Sequence, residues 1–191
     1  MKISTIVIVA AMLMSTVSSV SAQEWSNFGG GQYVINAKSG NIPVGDNWSV
    51  MGIYCLFSMP SSGFTQHFIY AGVNKGYFTP YLGFVGNWRG RDLPYLGTFV
   101  DIPLTSSILS STEFDVMFWD GNQDLYWWQG VEYGWTLNNH SAAFGLHTET
   151  IRQDETNTQY GFHFTYASMT GATYFGDNGW NIRRVYNIPI N

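Results

Sequence analysis

The chain has 191 residues, of which 11% are charged and 17% aromatic, with 13 acidic against 8 basic side chains. A formal charge of −5 without a basic stripe excludes a nucleic-acid partner, because phosphates attract clustered Lys and Arg. The single cysteine, Cys55, excludes a framework of disulfides within the chain. Soluble domains typically carry about 25% charged residues, so this composition indicates a surface that faces something other than water.

Residues 1–22 have the three parts of a secretory signal. Lys2 supplies the positive charge, residues 3–14 are mostly apolar, and residues 20–22 form a small-residue cleavage pattern. The apolar stretch is too short to span a bilayer as a stable helix. We therefore predict an exported protein whose signal is removed, followed by one domain over residues 23–191.

From residue 48 onward, apolar residues recur with period two between short turn segments, a pattern typical of consecutive antiparallel strands. The Gly- and Asn-rich segment 23–47 holds one more strand, around residues 32–36, or is an irregular arm. The pattern predicts an all-β fold, an antiparallel up-and-down β-barrel of eight to ten strands. The predicted strands are 48–59, 64–73, 77–88, 95–105, 113–119, 124–137, 140–151, 157–169 and 181–190.

The alternation is clearest in the second half of the chain, where large aromatic residues share one face of three strands. If Asn138 and Asn139 form a type I′ turn, apolar residues of the flanking strands oppose each other at every step. We predict that this face contacts lipid, with Trp and Tyr in aromatic girdles, or forms the core of a water-soluble barrel. Its members are Trp127, Tyr133, Trp135, Phe144, Tyr160, Phe162, Phe164 and Tyr166.

The opposite face of the same strands collects glycines, hydroxyls, histidines and carboxylates. The predicted pairing places Glu132, Gly145 and His163 in one cross-strand row. Strands lie about 4.8 Å apart, so the two long side chains can meet over the glycine. If Phe118 pairs with Leu125, a second row contains Glu113, Gly130, His147 and Gly161, so an acid and a histidine again lie on either side of a glycine. The candidate polar network consists of Glu113, Asp115, Glu132, His147, Glu149 and His163.

This network has two interpretations. In one, a carboxylate–imidazole site catalyses a reaction, with His163 or His147 as general base and Thr165 or a water as nucleophile. In the other, which we favour, acids and histidines pair to fill a narrow lumen and fix its register. The spacing of the histidines does not indicate a metal site, and no cofactor is predicted.

The run 163–168, followed by residues 178–181, resembles the last hairpin of the lipid A deacylase barrels. Those barrels carry His-x-Ser-Asn on the penultimate strand and a Glu in the last strand. His163 matches the His, whereas Thr165 replaces the Ser nucleophile and no acid occupies the last strand. The resemblance implies a lipid-modifying outer-membrane hydrolase, for which the catalytic candidates are His163, Glu132 and Thr165.

The whole chain after residue 22 also resembles small bacterial outer-membrane β-barrels in composition. Its polar face is rich in small side chains that fit a narrow lumen, and Lys is absent after Lys75. Two predicted strands, 95–105 and 113–119, are short or carry Asp and Pro, which favours the alternative. That alternative is a soluble secreted barrel or sandwich, periplasmic or extracellular, that binds a lipid or carbohydrate through its aromatic residues.

The sequence thus predicts an exported outer-membrane barrel, structural or porin-like, without catalysis and with membrane lipid as its partner. Whether the polar face is catalytic, which small molecule it would bind and how many copies assemble are left open by the sequence.

Overall fold

A computed structural model describes residues 30–39, 41–59, 63–176 and 179–190, so the predicted signal at residues 1–22 lies outside the described residues. All regular structure in the described part of the chain is β, which confirms the predicted fold class. The strands are β1 (Gly30–Ser39), β2 (Ile42–Gly45), β3 (Trp48–Met59), β4 (Phe64–Asn74), β5 (Phe78–Trp88), β6 (Arg91–Pro103), β7 (Ile108–Trp119), β8 (Asn122–Leu137), β9 (His140–Arg152), β10 (Thr156–Tyr166), β11 (Met169–Gly176) and β12 (Gly179–Ile190).

Eleven of these strands close into a barrel. Strands β3 to β12 each pair antiparallel with the next one, and β1 closes the circle by pairing parallel with β12 and antiparallel with β3. The short β2 pairs with the beginning of β3. The barrel therefore has one strand more than the upper end of the predicted range, because β11 was not recognised in the sequence. The optional strand around residues 32–36 is present as β1 and closes the barrel.

Two-residue turns fix the register of several hairpins. Asn138 and Asn139 have φ of 50° and 63°, the positive values of a type I′ turn, and Leu137 pairs with His140 as predicted. Asp120 and Gly121, with φ of 43° and 81°, form another such turn. The β7–β8 turn is therefore two residues shorter than assumed in the sequence analysis.

The shorter turn makes one predicted register wrong. Phe118 pairs with Gln123 instead of Leu125, so Glu113 lies opposite Trp128 and not opposite Gly130. By contrast, the row that joins Glu132, Gly145 and His163 is confirmed. Strands β6 and β7 have 13 and 12 residues and begin earlier than predicted, so both exceed the 9–11 residues that a tilted strand needs to cross a bilayer.

The two faces of the barrel differ in polarity. Thirty large apolar side chains of the described residues are exposed on the outside, among them Leu82, Phe84 and Leu146, each more than 60% exposed. Polar and charged side chains are buried inside, including Asp115, Glu149 and Arg183. A water-soluble barrel has the reverse arrangement, with apolar side chains inside and charges outside.

The two ends of the barrel also differ. The turns 89–90, 120–121 and 153–155 lie at one end, which we name the Arg89 rim, and the turns 75–77, 104–107, 138–139 and 167–168 lie at the other, the Asn138 rim. Close-packed apolar side chains fill the lumen near the Arg89 rim. This apolar floor comprises Phe57, Met59, Phe64, Val85, Trp88, Leu93, Met117 and Ile151, all at most 6% exposed.

Candidate functional site in the barrel lumen

A cavity of about 420 Å³ occupies the lumen above the apolar floor. It ends below on residues such as Phe57 and Trp88, and reaches up to Lys38, Thr165 and Asn187, which are exposed or half-buried. The lumen is thus a cup that is closed at the Arg89 rim and open at the Asn138 rim. An eight-stranded barrel is just wide enough for its own side chains or one small ligand, and the diameter grows with the number of strands, so eleven strands leave more space.

Arg183 is the centre of the buried polar network. Its guanidinium donates two hydrogen bonds to the carboxylate of Glu149, each 2.9 Å long, and lies 4.3 Å from the ring centroid of Tyr174. It also donates to the Gln32 side-chain oxygen at 2.8 Å and to the Tyr174 hydroxyl at 2.9 Å. Buried charges are tolerated when they are paired and hydrogen-bonded in this way. The hydrogen bonds of Arg183, which lies on β12, connect this strand across the lumen to Glu149 on β9 and to Gln32 on β1.

A second part of the network is a chain of three titratable side chains near the open end. Nε2 of His163 lies 3.2 Å from the Glu132 carboxylate, and Nδ1 of His163 lies 3.0 Å from Nδ1 of His147. Because a carboxylate only accepts, the Nε2–H of His163 donates to Glu132. Between the two Nδ1 atoms one ring donates and the other accepts, so the tautomers of His163 and His147 depend on each other.

Two glycines make this histidine pair possible. A Cβ on Gly145 would lie 2.5 Å from Cε1 of His163, and a Cβ on Gly161 would lie 2.7 Å from Nε2 of His147. Each imidazole therefore lies flat against the wall, over a glycine of a neighbouring strand. Any larger residue at either position would push the ring into the cavity.

The candidate nucleophile Thr165 and the candidate base His163 are not hydrogen-bonded to each other in the described part of the chain. The hydroxyl of Thr165 lies 2.9 Å from that of Thr170, and both nitrogens of His163 face Glu132 and His147. A general base needs a hydrogen bond to the group that it deprotonates. Among the described residues, His163 makes no such hydrogen bond to Thr165.

A pair of carboxylates on β7 occupies the middle of the cavity wall. The Tyr81 hydroxyl is within hydrogen-bonding distance of both Asp115 and Glu113, and its distance to the Glu113 oxygen is 3.2 Å. Glu113 therefore belongs to this cluster and not to the predicted row with Gly130 and His147, which the two-residue turn excludes. Asp115 is 4% exposed.

The Arg89 rim is locked by a separate cluster around Asp124, which is 1% exposed. Its carboxylate accepts hydrogen bonds from the Trp88 indole at 2.7 Å, the Trp119 indole at 3.2 Å, and Arg89 at 2.7 and 3.0 Å. Arg89 also donates to Asp154 in the turn 153–155 at the same rim. The hydrogen bonds to Asp124 raise the pKa of Arg89, so the turn keeps its positive charge.

The eight aromatic residues singled out in the sequence all point away from the lumen. They lie opposite the partners that the hairpin register predicts, such as Tyr133 against Phe144 and Phe144 against Phe164. Two of the eight, Trp135 and Tyr166, are half-buried. The other six are 44–60% exposed: Trp127, Tyr133, Phe144, Tyr160, Phe162 and Phe164.

Sequence reasoning missed the residues that complete the network, namely Arg183, Gln32 and Tyr81. Arg183 is followed by Arg184, so composition alone does not show which of the two faces inward. The period-two pattern of Asn181, Arg183 and Val185 would have identified the inward side once the last strand was aligned with β11.

No helix among the described residues is long and apolar enough to cross a membrane. Nor do three or more His, Cys, Asp and Glu side chains of the described part come together as a metal site. No family model matches the sequence, and neither a curated protein nor a solved structure matches it.

Proposed function

We propose that this protein is an exported, non-catalytic β-barrel of a bacterial outer membrane, delivered by a cleaved signal at residues 1–22. The observation that carries the proposal is the apolar exterior, which extends around the barrel from Ile69 and Leu82 to Phe164 and Ile182. Water-soluble proteins rarely expose a contiguous apolar patch larger than several hundred Å². Membrane lipid is the partner that such an exterior requires.

The distribution of charge over the exterior supports the same proposal. Away from the first two and last two residues of each strand, Arg184 is the one Asp, Glu, Lys or Arg among the described residues that faces outward. It lies on β12 and donates to the Tyr33 hydroxyl at 2.7 Å. Exposed Trp and Tyr lie near both rims, with Trp180 at the Arg89 rim and Trp48 and Tyr77 at the Asn138 rim.

The filled floor of the lumen favours a structural role over a porin-like channel. Phe64, Val85 and Trp88 are at most 1% exposed, and Asp124 and Asn181 beside them are equally buried. A water-filled channel needs a continuous polar path, which this floor interrupts. We expect no conductance above background when the purified barrel is added to a planar bilayer.

Fractionation of cells that express the full chain tests the membrane proposal. We expect the protein in the membrane pellet, with extraction only by detergent, and a folded form that migrates differently from the boiled form on a gel. Recovery of a folded, monodisperse protein from aqueous extract without detergent would refute the proposal.

The second candidate function is a secreted, water-soluble barrel that binds a small molecule. The cavity of about 420 Å³ favours it, since ligand pockets typically measure about 300–1,000 Å³. The exposed apolar exterior counts against it, because such a surface aggregates in water. The same fractionation separates the two candidates.

A further inference from the structure

The cavity has two chemically different walls. Aromatic side chains of β3 to β6 form one wall, and the strands β7 to β12 contribute most of the acids, the histidines and Arg183. The aromatic side is tightly clustered: the rings of Tyr70 and Tyr81 stack at 4.5 Å, and Phe99 lies 4.7 Å from Tyr81. The cavity therefore offers both ring surfaces and carboxyl groups to whatever it holds.

The carboxylates of Glu113 and Asp115 lack a cationic partner among the described residues, whereas the other buried acids have one. Glu149 is paired with Arg183, and Asp124 with Arg89. Glu113 and Asp115 share the Tyr81 hydroxyl instead. One hydroxyl carries one proton, so it can satisfy only one of the two carboxylates at a time.

The strand register encloses these carboxylates in aromatic rings. Glu113 lies between Phe99 on β6 and Trp128 on β8. Asp115 lies opposite Tyr126 on one side and Gly97 on the other, and the ring of Tyr81 lies over that glycine. Acids that are flanked by aromatic residues can stabilise an organic cation, through charge and through cation–π attraction.

The hydroxyl of Tyr95 is a further, independent sign of a ligand. Tyr95 lines the cavity, is 2% exposed and packs at 6.0 Å from the rings of Tyr70 and Tyr81. Its buried oxygen has no hydrogen-bond partner among the described residues. Buried polar groups without a partner are rare because they are costly, and a polar ligand in the cavity would supply the partner.

We propose that the lumen binds an amphipathic organic cation, an amine or quaternary ammonium compound with an apolar body. Its cationic group lies against Glu113 and Asp115 within the ring faces, and its apolar body lies on the aromatic wall formed by Phe57, Phe68 and Tyr70. Lys38 lines the cavity at the open rim, whereas Glu113 and Asp115 lie deeper, in the middle of the cavity wall. This inference concerns the inside of the barrel and does not depend on where the barrel resides.

A charge series of probes on the wild-type protein tests the inference first. The full chain, purified in a maltoside detergent without charge, is titrated calorimetrically with benzyltrimethylammonium, its uncharged carbon isostere neopentylbenzene, and phenylacetate. Each probe is also titrated into detergent alone, and that blank is subtracted. We expect the cation to bind at least tenfold more tightly than the isostere, and the anion not to bind. Equal affinity for cation and isostere, or no binding of the cation at millimolar concentration, would overturn the inference.

The variant Glu113→Gln/Asp115→Asn then locates the cationic group. It keeps the shape of both side chains and removes their charge, so we expect the affinity for the cation to fall at least tenfold while that for the isostere is unchanged. Asp101→Asn, an exposed acid on the neighbouring β6, is the matched control and leaves both affinities unchanged. Cation binding that is the same in the double variant and in the wild type would place the cation elsewhere and refute the site. If the double variant does not fold, the single variant Glu113→Gln is titrated with the same probes. A weaker affinity for the cation with an unchanged affinity for the isostere then supports the site, and unchanged affinity for the cation refutes it.

Discussion

An arginine in the middle of the exterior distinguishes a lipid-facing surface from a water-facing one. Leu146 is the seventh residue of the 13-residue β9, points outward and is 64% exposed. It lies between Val131 and Phe162, which are 45% and 44% exposed. In Leu146→Arg, the guanidinium would therefore enter the centre of the apolar belt, where no acid among the described residues faces outward to pair with it.

The expected magnitude depends on the surroundings of that position. At the midplane of a bilayer, Arg on the outside of a barrel costs about 2–4 kcal/mol, whereas an exposed surface substitution in water changes stability by about 0.5 kcal/mol or less. The lipid case corresponds to a drop of about 30- to 700-fold in the folding equilibrium constant. Urea unfolding of the protein in lipid vesicles, followed by tryptophan fluorescence, measures this difference.

Leu137→Arg is the matched control, because Leu137 faces outward on the neighbouring strand but ends β8 at the Asn138 rim. Near the membrane interface the cost falls to about 0–1 kcal/mol. We therefore expect the depth of the position, and not the substitution itself, to set the loss of stability. A Leu146→Arg protein as stable as the Leu137→Arg protein would refute the proposal that lipid covers the exterior.

Three further substitutions test the interior by the same unfolding measurement. Gly145→Ala should lower the free energy of unfolding by about 1–3 kcal/mol, because its Cβ would lie 2.5 Å from an imidazole carbon of His163 and 2.8 Å from a backbone oxygen. Gly134→Ala is its control: the added Cβ has no neighbour within 3.6 Å, so the stability should stay within about 1 kcal/mol of wild type. Glu149→Gln should cost about 3–5 kcal/mol, since it leaves a buried guanidinium without its counter-charge, and a loss below 1 kcal/mol would contradict the buried pairing. Asp124→Asn should likewise destabilise by about 3–5 kcal/mol, whereas Asp154→Asn, with its side chain 81% exposed, should cost less than about 1 kcal/mol.

The fold was predictable where turn chemistry and alternation agree. Asn138 and Asn139 both adopt positive φ, so the hairpin register follows from the sequence and carries with it the row of Glu132, Gly145 and His163. A shift of one residue would have reversed the two faces of the strand, and the unbroken apolar pairing excludes that shift. Local chemistry was sufficient here because the paired strands are adjacent in the chain.

The closing strand was not predictable by the same reasoning. Gly30–Ser39 pairs in parallel with β12, about 150 residues away, and a parallel pair has no short turn that would fix its register. Met169–Gly176 was also missed, since its eight residues include two glycines and follow a turn, Ala167 and Ser168, that lacks the usual Asn or Gly. A strand around residues 32–36 was one of the predicted alternatives, but its parallel partner was not foreseen. The missed β11 changes the number of strands that close the barrel and leaves the polarity of its faces unchanged.

The candidate site was predictable only in part, because its composition depends on which strands meet across the lumen. Glu132 and His163 were found from one hairpin register. Arg183 reaches Glu149 from three strands away, a distance that only the closed barrel determines. The cluster of Tyr81 with Glu113 and Asp115 requires in addition the correct length of the β7–β8 turn.

Glycines on the inner wall explain why a lumen with so many rings still holds a cavity. A Cβ at any of four inward positions would collide with ring atoms of a side chain: Gly97 with Tyr81, Gly130 with Trp128, Gly145 with His163 and Gly161 with His147. Each side chain therefore lies close against the wall, and the ring does not project into the lumen. Replacing these glycines would drive rings into the cavity and would at the same time disturb the close packing of the inner wall. The same four glycines thus contribute to the stability of the barrel and to the volume of its cavity, so a variant that loses stability at one of them should also lose cavity volume.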